Sequence, residues 1–221
     1  MKPSPLQLKW ITYPELSYEV RDEFRREESL DAYAVALDQI EINYRVAGES
    51  VAYLRMCTDD ASLAPYRMRL VAVAAFNIDH DRVRDAYPNQ TAAGLSVMAA
   101  TNVARIVYAS AREQVAMLTA RAPHGSMVIQ SVLIEPGDVA IDSPSDEPDE
   151  VLRHLFGASD EELGAIRSRA LAAAQDEARV GQVHSGHSPA APASKPKKAK
   201  AAAVQKTVKS AGKAEKKLQG S

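Results

Sequence analysis

Hydrophobic residues recur at every second position between residues 16 and 79, then at every third or fourth position between about 95 and 121. This change of period constrains the chain most, because period two puts alternate side chains on opposite faces of a strand and period 3.6 lines one face of a helix. Four strands fit the first region. Leu16 to Phe24 sets Leu16, Tyr18, Val20 and Phe24 against Ser17, Glu19, Arg21 and Glu23. Within Tyr33 to Val46 the alternation of Tyr33, Val35 and Leu37 shifts phase to Ile40, Ile42, Tyr44 and Val46, which a β-bulge near Asp38-Gln39 would produce. Ala47-Gly48-Glu49 supplies turn chemistry, so a third strand from Ser50 to about Thr58 closes a hairpin. The fourth, Tyr66 to Ile78, carries Met68, Leu70, Ala72, Ala74, Phe76 and Ile78 on one face, with Val71 and Val73 making the other face apolar too. An antiparallel sheet usually wets one face, so the second is expected to be covered by a subunit, a helix or a ligand.

Leu95 to Arg121 reads as a long amphipathic helix through Val103, Ile106, Val107, Ala111, Val115 and Leu118, stopped by Pro123-His124-Gly125. Met127 to Ile134 is an apolar run, expected as a short extended piece beside that helix. Ser145 to Gly181 reads as two short helices parted at Gly157-Ala158, the second opening on a capping box, Ser159 to Glu162. The fold class is α+β: a four-stranded antiparallel sheet packed with a long helix, then short C-terminal helices and a disordered tail. The expected divisions are an N-terminal extension (1–15), the α+β domain (16–142), a helical appendage (143–184) and a basic Lys/Ala-rich tail (185–221).

The chain has 221 residues and a formal net charge of −2 that hides two opposed parts. Residues 185–221 hold nine lysines against one acid, Glu215, for +8; residues 1–184 hold 18 basic and 28 acidic side chains, for −10. The tail has no aromatic residue and too little apolar surface to offset chain ordering. Its lysines, Lys195, Lys197, Lys198 and Lys200 foremost, are expected to bind nucleic acid or another polyanion without reading sequence. No apolar run approaches the roughly 18 residues of a spanning helix, and the first residues lack a signal-peptide apolar segment. The chain is expected to stay in the cytoplasm without inserting into a membrane.

Catalytic motifs are scarce. There is no phosphate-binding glycine loop, no His-Glu-x-x-His and no Gly-x-Ser-x-Gly. Asp79-His80-Asp81 follows a strand and reads as a polar turn. His184 and His187 lie where disorder is expected. The single cysteine, Cys57, precludes an intramolecular disulfide and reads as a small strand hydrophobe. No enzyme activity, cofactor or metal is expected, and binding is left as the function.

From the long helix onward the sequence resembles the SecB-type export chaperones and their toxin–antitoxin-associated relatives. Val73-Ala74-Ala75-Phe76-Asn77-Ile78 resembles that family's strand ending in small residues and Phe. Ile106-Val107-Tyr108-Ala109-Ser110-Ala111-Arg112-Glu113, followed by Leu118-Thr119-Ala120-Arg121, resembles its helix core, with the spacing between the two elements kept. The resemblance covers about residues 16–135. It departs at Ala109-Ser110, where the family has Pro and Tyr, and at His124 to Ile129, which replace a proline-rich segment. It implies an ATP-independent holdase for unfolded polypeptides, serving preprotein export or antitoxin protection, and a homotetramer built as a dimer of dimers. Phe76, Ile78 and Tyr108 are the expected polypeptide-binding residues. SecA is the implied further partner, but the lysine-rich tail stands where export SecB has its acidic docking end and argues against that coupling.

Overall fold

The computed structural model describes residues 4–25, 30–58, 63–144 and 146–184, with side chains as far as residue 175. Residues Met1–Gln175 form one compact unit; the second, Asp176–Ser221, is described only as far as the helical turns that end at His184. Lys195, Lys197, Lys198 and Lys200 therefore lie outside the described residues.

The first unit is a five-stranded sheet backed by a long helix. Strands β1 (Leu6–Val20), β2 (Ala36–Asn43), β3 (Ser50–Cys57) and β4 (Tyr66–Ile78) pair antiparallel in the spatial order β1-β4-β3-β2, and β5 (Ala140–Asp142) adds to β2 in parallel. Helices α1 (His80–Ala86) and α2 (Ala92–Thr119) follow β4, and α3 (Pro148–Phe156) and α4 (Asp160–His184) follow β5. The α+β class and the long helix match the sequence reading. So does the phase shift in β2, where the register slips between Leu37 and Gln39, leaving Asp38 as the extra residue.

Two strand expectations need correction. Residues 6–15, expected as an extension, form the first part of β1: Leu6, Leu8 and Ile11 pair opposite Ile78, Phe76 and Ala74. Their alternation is interrupted by register shifts at Leu8/Trp10 and Thr12/Glu15, the second holding Pro14, which has no N–H to give a ladder. The sheet is also mixed rather than wholly antiparallel, because β5 supplies a fifth strand too short for its period to show in sequence.

The core lies between the sheet and α2, where Ile42, Leu54, Met56, Leu70, Phe76, Leu95, Val103, Val107 and Val115 are buried. Tyr44 is buried between Phe76 and Phe156, with ring centroids 6.1 and 5.2 Å away, and donates its hydroxyl to the Ser96 carbonyl at 2.6 Å. Burial raises its pKa. Phe156 and Val151 thus seat α3 on the body. Against the sequence reading, α2 is by length and composition long and apolar enough to cross a membrane; the polar residues among its apolar ones break up any continuous run, and half of its most apolar window is buried, as befits the core helix of this sheet.

The far face of the sheet is closed partly from within. Ala75 and Val71 are buried. Trp10 stands opposite Ala75, and its indole Nε1 donates to Glu49 at the entrance of β3, 3.1 Å away, so the ring spans β4. One large side chain of the same chain therefore covers part of the apolar area expected to be covered by a subunit, a helix or a ligand.

Candidate functional site

Of the expected polypeptide-binding residues, Phe76 is 0% exposed and Tyr108 4%. Both are core residues in this structure, which corrects their placement at a binding surface. Phe76 faces α2 because it shares a face with Leu70, Ala72 and Ala74, and its ring meets Tyr44. Ile78, at the end of β4, is half-buried and lines a cavity beside α1 and α2. The three do not converge on one surface.

Tyr108 contributes instead to a set of tethers along α2. Its hydroxyl donates to the Gln130 carbonyl at 2.6 Å, Arg112 Nε to the Ile129 carbonyl at 2.8 Å, and Arg105 Nη2 and Nε to the Ile134 carbonyl at 2.7 and 3.1 Å. The spacing 105, 108, 112 puts all three on one helix face. Burial raises the Tyr108 phenol pKa, and the adjacent Arg112 opposes that rise. Arg112 lies over the Tyr108 ring, 5.8 Å from its centroid. Thr119, the threonine of Leu118-Thr119-Ala120-Arg121, is buried and accepts the Met127 N–H at 2.8 Å. The segment 127–134 is thereby held extended, with Met127, Ile129 and Ile134 turned into the core and Val128, Val132 and Leu133 left exposed, Leu133 at 73%.

This held segment forms one wall of a groove whose other wall is the edge of β2. Tyr33 bridges Ile129 in parallel, its N–H donating to Val128 and its carbonyl accepting from Gln130 at 2.8 and 3.0 Å. Pairing resumes at Glu41 with Ala140. Between these points the β2 side has residues 34–40 and the other side the longer run 130–139. The surplus turns away in a single 3-10 turn at Pro136–Asp138, and the two chains separate. No backbone hydrogen bond joins 34–40 to 130–139 among the described residues. A cavity of about 510 Å³ opens there, lined on one side by Leu37 and Ile40 and on the other by Val132, Leu133 and Val139. Asp38, Gln39 and Asp138 supply its polar groups. The gap spans roughly 23 Å of strand edge at about 3.3 Å per residue. Unpaired strand backbone beside apolar side-chain space is what an extended peptide needs in order to add as a strand.

Other polar groups considered in the sequence have local roles. Asp79 caps α1 by accepting the Arg82 N–H at 3.3 Å. Cys57 Sγ lies 3.4 Å from Asp38 Oδ2, and burial followed by this carboxylate pushes its pKa up, away from thiolate chemistry. Among the described residues no group of three His, Cys, Asp or Glu side chains has the geometry to hold a metal ion.

The groove residues Val132 and Leu133 were missed because Met127 to Ile134 reads as one apolar run, and period alone does not say which of its members face out. The gap in β2 pairing is visible only once both of its partners are placed.

No protein-family model matches the chain, and no curated protein matches its sequence. Two solved structures are similar in part. One is a Mycobacterium tuberculosis SecB-like chaperone in complex with a peptide from the HigA1 antitoxin: TM-score 0.40, 17% identity, spanning 58% of this chain and 91% of that one. The other is a Streptococcus agalactiae protein of unknown function: TM-score 0.33, 12% identity, spanning 57% and 97%.

Proposed function

We propose that this protein is an ATP-independent holdase that captures unfolded polypeptide in extended form along the open edge of β2. The observation that carries the reading is the break in pairing between residues 34–40, on the outer edge that β2 turns away from β3, and residues 130–139, beside apolar space walled by the exposed Leu133. A client segment adding there gains main-chain hydrogen bonds whatever its sequence, and alternate apolar side chains find Leu37, Val132 and Leu133. Low selectivity follows, because the backbone carries much of the contact. The formal −10 of residues 1–184 keeps such a surface dispersed. The resemblance of Ile106 to Arg121 to the SecB-type helix supports the same reading, and here Tyr108, Arg112 and Thr119 of that stretch shape the groove wall.

Preprotein export and protection of an antitoxin are the two services this activity fits, in the cytoplasm, and the groove is common to both. The homotetramer enters the same proposal. Exposed Met117 and Leu118 near the end of α2 are apolar area that a second copy would cover. A separate proposal attaches to the tail, whose nine lysines favour salt-sensitive binding of nucleic acid or another polyanion.

The test is light scattering during refolding of a slow-folding client without nucleotide. Intact protein and residues 1–184 should suppress aggregation equally, and Leu133→Asp should suppress it several-fold less while remaining folded. Failure of intact protein with several clients would refute the holdase reading. Loss of activity on tail removal alone would favour the polyanion reading.

A further inference from the structure

A second cavity, of about 360 Å³, opens where the start of β1, α1 and one face of α2 meet. Its walls are mostly aliphatic, with Leu6, Ile78, Val83, Leu95, Met98 and Ile106, and Tyr87 and Ser4 also border it. Its volume falls in the range of roughly 300–1,000 Å³ typical of small-molecule sites. Two polar side chains from α2 also line it, Asn102 and Arg105, and no acidic residue does. Asn102 makes no side-chain hydrogen bond among the described residues. Arg105 gives Nε and Nη2 to the Ile134 carbonyl, a neutral acceptor, and meets no carboxylate within ion-pair distance among the described residues. Both side chains are solvent-exposed at the rim of the cavity, and guanidinium N–H groups of Arg105 remain for a further acceptor.

Largely aliphatic walls with one cation free of ion pairs and one amide at the rim complement an aliphatic chain ending in a carboxylate. We propose that this cavity binds a medium-chain aliphatic carboxylate, with its chain against Leu6, Ile78, Leu95 and Met98 and its head group on Arg105 and Asn102. Chain burial provides the affinity, and the charge-assisted hydrogen bonds distinguish the acid from its alcohol.

The experiment titrates the full-length protein with decanoate and, separately, with decanol, following the methyl resonances of Leu95, Met98 and Ile106 and the heat of binding. Decanoate should shift those methyls saturably and bind about tenfold tighter than decanol. Arg105→Gln should erase the preference, and Ala99→Leu, which fills the cavity, should weaken both ligands. Equal affinity for acid and alcohol in the unmodified protein overturns the proposal without reference to any variant. So does the absence of saturable shifts, or saturable shifts confined to other methyls. Protection of these methyls by a peptide or a second copy of the chain that decanoate fails to displace would assign the cavity to polypeptide, and also overturns it.

Discussion

Cys57 and Asp38 sit where β2 bulges, and their contact sets the reactivity of the thiol. Burial and the neighbouring carboxylate both disfavour the thiolate, and only the thiolate is nucleophilic. Iodoacetamide should therefore modify Cys57 more slowly at neutral pH than it modifies an unstructured cysteine peptide, and Asp38→Asn should speed the reaction; mass spectrometry against time measures both. Phe76 and Leu133 give the opposite pair of expectations. Phe76→Ser removes a side chain that is wholly buried and should cost about 3–5 kcal/mol or more, read as a lower denaturant midpoint. Leu133→Asp alters an exposed position and should shift stability by no more than about 0.5 kcal/mol, while weakening capture of clients. The sequence made Phe76 stand out as a conspicuous aromatic at a strand end, but an aromatic in a period-two run reads the same whether its face meets a helix or a client. Only the packing of α2 decides between them.

At the scale of elements, the junction of α3 and α4 was legible and its wider role was not. Gly157 ends α3 with φ +63°, its N–H reaching the Arg153 carbonyl, and Ser159 and Glu162 form the expected capping box: Glu162 N–H to Ser159 Oγ and Ser159 N–H to Glu162 Oε2, each 3.2 Å. The same Glu162 accepts the Ala92 N–H at 3.1 Å and Arg84 Nη2 at 2.8 Å, while Arg84 donates to the carbonyls of Phe156, Gly157 and Gln90. These partners are 70 and 78 residues away in the chain, so no local pattern announces them. Burial alone would raise the Glu162 pKa, but the hydrogen bonds from Arg84, Ala92 and Ser159 outweigh it and hold the carboxyl below its ordinary 4.5. A depressed carboxyl stabilises the fold above that ordinary value, and the contribution is lost as pH falls through the folded value. Glu162→Gln should thus cost ~1–3 kcal/mol at pH 7, with the difference from wild type shrinking below pH 4.5; denaturant melts across pH measure it. The long periodic elements β3, β4 and α2 were readable because their patterns repeat several times. β5 has three residues, and the first part of β1 changes phase near Trp10 and again near Pro14, so neither sustains a period.

At the scale of the whole molecule, an acidic body with an interrupted sheet edge is followed in sequence by a basic tail. The apolar residues on both faces of β4 were legible, but not that Trp10 would lie across one of them, so the face that pointed to a covering subunit, helix or ligand is partly closed by its own chain. Assembly then depends on exposed apolar residues such as Met117 and Leu118. Light scattering should find a tetramer at micromolar concentration; a stable monomer would contradict that part of the proposal and leave the β2 edge untouched. The central claim is that unfolded polypeptide adds to β2, and amide hydrogen exchange with and without a saturating unfolded client tests it most directly. The account predicts slowed exchange in residues 34–40 and 130–134, with little change along β1. Unchanged exchange at 34–40 while client is demonstrably bound would contradict it.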